Sequence, residues 1–507
     1  MVTDKDYRES DDTWTMSYQG FIGRLSKEDQ DFYDIKNAAA EFYRVNRIPQ
    51  EIERALNELF FHKPEDVHGY LANHFTNLSA PPTISRLKGK EVYDARGHLS
   101  TEAEVFCIVC NKEKSMSSAV ASSHFGPMEN SLDWKAKSQV RADHVMTAVQ
   151  WINEPLNNML KGQNPCDQSE VDHILSNFFM ACVLEEKDIW NKEKEESRST
   201  SKPEVVLPSP PPEQTKDKKS VDRGKKSNTA EKPFPPAEPP EPVLPGSLAI
   251  GSVSLAVAKT GAQIHGVPLY KYIAALKNRK APAKFHIPVS LVTLLSCGKN
   301  SPGKLNLLEE VILIPKVGQR VKQIITMTLE LQKEMMRIMN TSTKAGDIDQ
   351  WEKLSNVIGD SCSLLSDIMY KSKAPPLLGA RGYILKHIHE TTVSDLIRIT
   401  SEHQGSVLMG TTCSEPCSDD SLSDIAVGLG LDYVKLGGLS GAERMTKYNR
   451  LISIEEELAQ QGILVFKEKH PPPLFTEKPQ EQSTTAESTL SDTACSQLTA
   501  SVSIKKV

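Results

Sequence analysis

Two spacings of apolar residues alternate through the second half of the chain. Six short apolar runs, rich in β-branched residues, predict strands, and segments such as "TTVSDLIRITSEHQ" between them repeat apolar residues at helical spacing. Strands that alternate with helices indicate a parallel sheet with crossover connections, and six such units favour a βα barrel over an open sheet. The predicted strands span 285–295, 310–315, 361–367, 382–386, 406–412 and 432–438.

In two of these predicted strands a lysine follows the apolar residues. Lys386 closes "GYILK" and Lys435 follows "LDYV", and a helix-period segment comes after each of them. Lysine is among the residues least often buried, so two explanations stay open. Each ammonium group could reach from its strand end into water. Alternatively, both lysines point into one pocket, because side chains at the carboxyl ends of barrel strands face the active site.

The segment 48–75, "IPQEIERALNELFFHKPEDVHGYLANHF", predicts a compact helical hairpin. Apolar residues recur at i, i+4, i+7 and i+8 from Ile52, and the pattern restarts at Val67 after a Lys-Pro break. Pro64 suits the first turn of the second helix. Two helices this short cannot enclose a core alone, so their apolar face must pack against a neighbouring domain or a second molecule. Both possibilities remain open.

Composition narrows the possible partners. With 507 residues, 38% hydrophobic and a net charge of −6, the chain can build two or three domains with a substantial core. A pI near 6.2 gives no electrostatic footprint for nucleic acid. No apolar run approaches the ~20 residues that cross a bilayer, and the polar N-terminus is unlike a signal peptide. The sequence therefore predicts a cytoplasmic protein with no nucleic-acid or membrane partner.

The cysteines fit the same compartment. The chain has nine, without a spacing framework, as expected for reduced thiols. Cys107 and Cys110 form a CxxC inside the alternating run "TEAEVFCIVC", and no second CxxC follows. This pattern favours strand cysteines over a zinc site.

Proline content marks the boundaries between domains. The segment 193–246 holds 12 of the 31 prolines and almost no aliphatic or aromatic residues, so it cannot bury enough apolar surface to offset its ordering entropy. It is predicted to be a disordered linker. The predicted organisation is a disordered N-terminus (1–40), the hairpin (41–80), a first domain (83–282) interrupted by the linker, a barrel (283–468) and a disordered tail (469–507).

Four segments resemble the enolase family, in that family's order: "VYDARGHLSTEAEV" (92–105), "GSLAIGSVSLAVAKTGAQIHGVPLYKYIA" (246–274), "EEVILIP" (309–315) and "KYNRLISIEEEL" (447–458). The match extends from about Ile84 to Leu464, with the linker as an interruption. The resemblance implies an α/β protein: an enolase-like α+β first domain with an antiparallel sheet, followed by a TIM-type barrel. The hairpin and the long insertion are similar to the sperm-type branch of the family.

The resemblance also implies a reaction. Enolases remove the α-proton of 2-phosphoglycerate and expel hydroxide to give phosphoenolpyruvate in glycolysis, and their superfamily is itself the standard example of a Lys or His base working with Mg²⁺. Lys386 matches the proton acceptor, Lys435 the lysine that neutralises the substrate carboxylate, and Glu310 the acid that helps hydroxide leave. A second positive charge nearby favours loss of a proton from a lysine, as a base requires.

Parts of the family pattern are absent from this sequence. Asp367 matches the last of three Mg²⁺ carboxylates. The other two, with two strands and two helices, belong between "MMRIMNTSTKAG" and "IDQWEKLSNVIG", where this chain lacks them. Ser123, or Ser122 if the alignment shifts by one, stands in for the family's metal-binding loop serine. From Phe285 to Phe466 the barrel has 182 residues, against about 250 in a typical barrel.

The substrate-phosphate motif is also changed. Cys413, Ser414 and Glu415 replace the family's His-Arg-Ser, and a glutamate cannot hold a phosphate as an arginine fork does. The resemblance therefore implies an incomplete barrel, with both the Mg²⁺ cofactor and the catalytic activity in question.

Two hypotheses of different classes follow. In the first, the chain is an impaired enolase that binds 2-phosphoglycerate and phosphoenolpyruvate and forms a homodimer. In the second, it is a non-catalytic assembly protein of the sperm flagellum, since "PEDVHGYLANHF" resembles the docking-and-dimerisation hairpin of protein kinase A regulatory subunits and related flagellar proteins. The hairpin at 48–75 would then bind a flagellar or anchoring protein.

Overall fold

The structure is a computed structural model, and it describes residues 27–122, 134–200, 244–280, 282–296, 308–341, 366–368, 382–385, 388–402, 406–410, 419–466 and 500–506. The chain divides into two compact units, Met1–Pro81 and Pro82–Val507. None of the helices in these ranges carries an apolar segment long enough to span a membrane.

The first unit contains three helices, α1 (Lys27–Val45), α2 (Ile48–His62) and α3 (Val67–Leu78). The two helices predicted over 48–75 are present as α2 and α3. Pro64, however, precedes α3 instead of lying in its first turn. Asp66 caps the helix, and its carboxylate accepts a hydrogen bond of 2.8 Å from the Gly69 amide. Helix α1 covers part of the N-terminal segment that was predicted to be disordered.

Much of the apolar surface of the first unit is exposed. Among its described residues, Ala55 is the buried hydrophobic side chain, whereas Phe60 and Phe61 are 76% and 81% exposed. Apolar surface of this extent is typical of an interaction site. The exposed large side chains are Phe32, Ile35, Phe42, Tyr43, Val45, Ile52, Leu56, Phe60, Phe61, Val67, Phe75 and Leu78.

The second unit begins with an antiparallel sheet of β1 (Thr83–Tyr93), β2 (Leu99–Val109) and β3 (Lys112–Ala121). Its helices are α4 (Trp134–Trp151), which runs through a π-helical turn into α5 (Asn157–Leu160), then α6 (Gln168–Thr200) and α7 (Ser247–Ile264). Helix α6 continues to Thr200, into the segment predicted as linker. Cys107 is buried in β2, and Cys110 lies exposed at the β2–β3 turn.

A seven-stranded sheet follows, in the order β10-β5-β4-β9-β8-β7-β6. Strands β4, β9, β8, β7 and β6 are parallel, which confirms the predicted parallel sheet, and β5 and β10 are antiparallel to their neighbours. Within the described strands the sheet does not close, because β10 and β6 lie at its two edges. The bounds are β4 Val289–Ser296, β5 Leu308–Pro315, β6 Ser366–Ile368, β7 Gly382–Leu385, β8 Ser406–Gly410, β9 Tyr433–Gly437 and β10 Ala500–Lys506.

Helices cover one face of this sheet. Val434, Leu436 and Met409 on that face join a large core with the helices, whereas Leu408 and Tyr433 on the opposite face belong to a separate small cluster with Leu291 and Ile314. We call the face that carries Leu291, Ile314, Leu408 and Tyr433 the inner face. The helices of this region are α8 (Leu269–Asn278), α9 (Val321–Thr341), α10 (Val393–Glu402), α11 (Ser421–Gly428) and α12 (Ala442–Gln460).

Helix α7 is shared by the two cores of the second unit. Its N-terminal part, including Val253 and Val257, packs with the antiparallel sheet, and Ala258 and Ala262 pack with the core of the second sheet. Leu255 contacts both cores. The helix therefore fixes the antiparallel sheet against the second sheet.

Helix α12 contains a buried lysine that yields a stability prediction. Lys447 is 1% exposed, and burial lowers its pKa from 10.5 to about 8. Its Nζ donates to the Glu443 carbonyl over 3.0 Å. Because the folded state disfavours the charged form, folding carries a cost below pH 8 that is relieved as the pH rises toward 10.5.

We expect Lys447→Met to raise the free energy of unfolding near neutral pH by about 1 to 2 kcal/mol. The gain over wild type should shrink as the pH rises through the lowered pKa. Urea denaturation of both proteins across this pH range measures it. The prediction would be contradicted if Lys447→Met were less stable than wild type near neutral pH, or if the difference in free energy of unfolding between the two proteins did not change with pH.

Candidate active site

Lys435 lies on the inner face of the second sheet. It follows Tyr433 by two residues on β9, and its neighbours Val434 and Leu436 both belong to the helix-covered core. Strand side chains alternate between faces, so the Lys435 side chain points to the same side as Tyr433. Its backbone pairs with Gly410 of β8 and with Leu291 of β4.

The strand that leads to Lys386 is two strands away in the same sheet. Leu385, its last residue, pairs with Met409, and Met409 pairs with Val434, the residue before Lys435. The row of paired residues that contains Val434 therefore crosses the sheet through Met409 to Leu385, the residue that precedes Lys386. Lys386 itself lies outside the described residues.

The backbone of Asp367 is linked to β9, the strand of Lys435, through successive strand pairs. It pairs with Ile384 of β7, which pairs with Leu408, which in turn pairs with Tyr433. This row lies two residues before the row of Lys435, on the edge strand β6.

Glu310 lies in a different row from Lys435. Its backbone pairs with Ser296 at the carboxyl end of β4, whereas Lys435 pairs with Leu291, five residues earlier on that strand. A step of this length corresponds to about 16 Å along a strand. Glu310 is thus at the same end of the sheet as Lys435, but the register does not place it beside the lysine.

A buried polar cluster joins the antiparallel sheet to the helices of the second sheet. The backbone amide of Ser122, directly after β3, donates to His389 Nδ1 over 3.1 Å. The Ser122 hydroxyl lies 3.0 Å from that of Ser100, and both serines are nearly completely buried. Lys259 of α7 forms an ion pair of 3.5 Å with Asp419, which is 5% exposed.

The sequence interpretation missed His389, Asp419 and Lys259. His389 follows Lys386 by three residues, and Asp419 follows the altered motif at 413–415 by four. A search for polar residues next to the predicted catalytic positions would have found both. Nothing in the sequence around Lys259 distinguishes it from a surface lysine, because its partner is 160 residues away.

Comparison with known proteins identifies the family. A family model described as the enolase C-terminal TIM barrel domain matches residues 385–470. Enolase 4 of Danio rerio is 38% identical over 557 residues, with 88% of this chain and 96% of that protein covered. Enolase 4 of Homo sapiens is 35% identical, with 88% and 92% covered, and Enolase 4 of Mus musculus is 34% identical, with 92% and 96% covered. The chain belongs to the enolase family.

Enolases use Mg²⁺, and that ion sets requirements for the residues that hold it. Mg²⁺ requires near-octahedral oxygen coordination, which the family supplies with carboxylates. Within the described ranges, no three His, Cys, Asp or Glu side chains come together as a metal-binding group. The Ser122 hydroxyl is engaged with Ser100, and Ser123 lies outside the described residues. The described part of this chain therefore does not fit a Mg²⁺ site.

Cys413, Ser414 and Glu415 lie outside the described residues, and the chain is described again from Asp419, just before α11. The described geometry of the candidate site thus consists of the inner face around Lys435 and the polar cluster of Ser122, His389 and Asp419.

Proposed function

We propose that this chain acts on 2-phosphoglycerate and forms phosphoenolpyruvate, with Lys386 as the base, and that its turnover is lower than that of a complete enolase. The position of Lys435 carries the proposal. The amine of Lys435 lies on the inner face, one residue beyond the row in which β7 ends at Leu385, and Lys386 comes directly after Leu385. Two amines in these positions suit a substrate that carries a carboxylate next to an acidic proton.

The proposed reaction has two stages. The neutral amine of Lys386 takes the α-proton, and the electron pair moves into the carboxylate to form an ene-diolate. The Lys435 ammonium group lies against that carboxylate and offsets its growing negative charge. The carbon-oxygen bond at the neighbouring carbon then breaks as the electron pair of the ene-diolate forms the carbon-carbon double bond, and the departing hydroxide takes up a proton, so that water leaves. The family match assigns this proton to Glu310, whose backbone row lies five residues farther along β4 than that of Lys435, so the role of Glu310 rests on the resemblance and not on the register.

Two observations support reduced turnover. The described residues bring no carboxylate group together for a metal ion. The alignment with Enolase 4 of Danio rerio extends over 557 positions, more than the 507 residues of this chain, so that relative has residues with no counterpart here. Both observations agree with the absence of the family's segment between "MMRIMNTSTKAG" and "IDQWEKLSNVIG".

Formation of phosphoenolpyruvate by the purified chain tests the proposal. Its ultraviolet absorbance is followed with 2-phosphoglycerate and Mg²⁺, for wild type, Lys386→Ala and Lys284→Ala. Lys284 is an exposed lysine ahead of β4, so its variant controls for loss of charge. We expect turnover in wild type and in Lys284→Ala, and only background in Lys386→Ala. Equal turnover in all three proteins would contradict the role of Lys386.

A second candidate is a non-catalytic role in assembly, which the exposed apolar side chains of α1, α2 and α3 favour. The hairpin would then mediate self-association or bind a flagellar partner, and the second unit would be a platform. Background turnover in wild type, together with sedimentation of the intact protein as a dimer or larger assembly, would support this candidate. A monomer with measurable turnover would exclude it.

A further inference from the structure

The outer edge of β5 is covered by a strand that lies far from it in the sequence. Strand β5 pairs with β4 on one side and with β10 on the other, and both pairs are antiparallel. The register joins seven residues of β10 to β5, from Ala500 opposite Pro315 to Lys506 opposite Leu308. Segment 500–506 is therefore the outermost strand of the described sheet at this side.

Strand β5 by itself would be a poor edge strand. Its run "VILI", residues 311–314, has no polar residue, and Val311, Leu313 and Ile314 are buried. An apolar strand with a free edge presents unpaired N–H and C=O groups to other chains. Strand β10 reads "ASVSIKK", and serines with terminal lysines are better suited to an exposed edge. Coverage by β10 therefore moves the edge of the sheet to a more polar strand.

The register matches the sequence of β10 to the two faces of β5. Apolar residues of β10 pair with residues of the helix-covered core, Val502 with Leu313 and Ile504 with Val311. Polar residues of β10 pair with residues of the inner face, Ser501 with Ile314 and Ser503 with Ile312. A shift of one residue would exchange these two sets. The alternation in 500–506 therefore favours this register over its neighbours.

The connection to β10 starts and ends at the same corner of the sheet. Phe466, the last described residue before the connection, lines a cavity together with Lys316, which directly follows β5. Strand β10 begins at Ala500, opposite Pro315 at the end of β5. Residues 467–499 are far longer than this separation requires. A segment linked in this way competes at an effective concentration on the order of millimolar, which favours pairing within one molecule.

We propose that the outer edge of β5 is a binding site for an extended strand, and that segment 500–506 of the same molecule occupies it as a detachable strand. The bound segment keeps this edge from pairing with another chain. The inference goes beyond the proposed function, because it concerns the edge of the sheet and not turnover.

Amide hydrogen exchange of residues 308–315 in the intact protein tests whether segment 500–506 is bound. Val502→Asp introduces a carboxylate at the position opposite Leu313, in the helix-covered core, where an unpaired charge is costly. Ser503→Asp introduces the same group one residue later, opposite the partly exposed Ile312, and is the matched control. Protection should fall at least about tenfold in Val502→Asp and stay within about threefold of wild type in Ser503→Asp.

A fluorescent synthetic peptide of residues 498–507 tests whether the edge accepts a strand from another molecule. Fluorescence anisotropy should show binding to the full chain that carries Val502→Asp, because its own segment is released. Binding to wild type should be at least about tenfold weaker, because the linked segment occupies the edge. A peptide that itself carries Val502→Asp is the control and should bind to neither protein.

Three results would overturn the proposal. The first is equal protection of residues 308–315 in Val502→Asp and Ser503→Asp. The second is native peptide that binds equally to wild type and to Val502→Asp, or to neither. The third is a wild-type assembly in sedimentation that dissociates in Val502→Asp but not in Ser503→Asp, because the segment would then occupy the edge of a second copy.

A milder substitution keeps the test decisive if Val502→Asp aggregates. Val502→Asn places an uncharged polar group at the same position, so it should also lose protection of residues 308–315 relative to Ser503→Asp. A Val502→Asn protein as well protected as wild type would then reject the proposal.

Discussion

Replacing Gly251 with alanine is expected to lower the free energy of unfolding by about 3 kcal/mol. A Cβ atom at this position would lie 2.1 Å from the carbonyl oxygen of His389 and 2.4 Å from its carbonyl carbon. Both are backbone atoms, which cannot rotate away as a side chain can, so α7 or the 3₁₀ turn Ile388–Glu390 must shift. Gly251 is buried, and α7 packs against both cores of the second unit. A shift of α7 would therefore disturb the packing of both cores.

Gly410→Ala is the matched control for this substitution. The nearest atom to a Cβ at Gly410 is a methyl carbon of Ile384 at 3.8 Å, which is ordinary contact. Urea denaturation should show a change within about 1 kcal/mol for Gly410→Ala, against the large loss for Gly251→Ala. Equal losses for both variants would show that the close contact at His389 has no particular effect.

Replacing Arg450 with methionine is expected to cost about 3 kcal/mol of folding free energy. Asp424 is 2% exposed and accepts hydrogen bonds from Arg450 Nε at 2.7 Å and from Arg450 Nη2 at 2.6 Å. Methionine keeps much of the packing of the arginine stem but leaves the carboxylate without its cation. The Tyr270 amide, at 3.2 Å, would be its remaining donor among those described here.

The loss at Arg450→Met should depend on pH. Burial raises the pKa of Asp424 above its ordinary value, and Arg450 acts in the opposite direction. Without the arginine the pKa should rise further, so the cost is present above the raised pKa and is relieved as the pH falls through it. Thermal melts at several pH values measure this recovery relative to wild type.

The double variant Asp424→Asn with Arg450→Met is the control, because it removes the buried charge together with its partner. It should recover most of the stability at neutral pH and lose the pH dependence. A double variant as unstable as Arg450→Met alone would show that the loss comes from packing and not from the charge on Asp424.

Periodicity was sufficient to predict most of the second sheet. A short run such as "GYILK" is too apolar to face water on both sides, and β-branched residues favour a strand over a helix. Strict alternation puts Lys435 on the face opposite Val434 and Leu436 only once those neighbours are known to pack in the helix-covered core, and the sequence alone left open whether Lys435 reaches into water or into a pocket. The order of the strands could not be read this way, because periodicity carries no information on which strands pair.

Other elements were missed for identifiable reasons. Helix α1 carries apolar residues at helical spacing, among them Phe32, Ile35 and Phe42, but the polar residues ahead of it led to a prediction of disorder. In β10, Val502 and Ile504 alternate with polar residues, which is the pattern of a strand. The overall composition of the tail, 469–507, nevertheless led to a prediction of disorder for all of it. The contact of Ser122 with His389 spans 267 residues, and no local pattern predicts it.

The dual packing of α7 has a consequence for how this protein can be divided. An 18-residue helix that belongs to two cores cannot be assigned to either half without exposing apolar surface on the other. A fragment cut before Ser247 would leave the antiparallel sheet without its cover, and one cut after Ile264 would uncover the helix side of the second sheet. The two sheets should accordingly melt in a single cooperative transition, and neither is suited to expression as a separate domain.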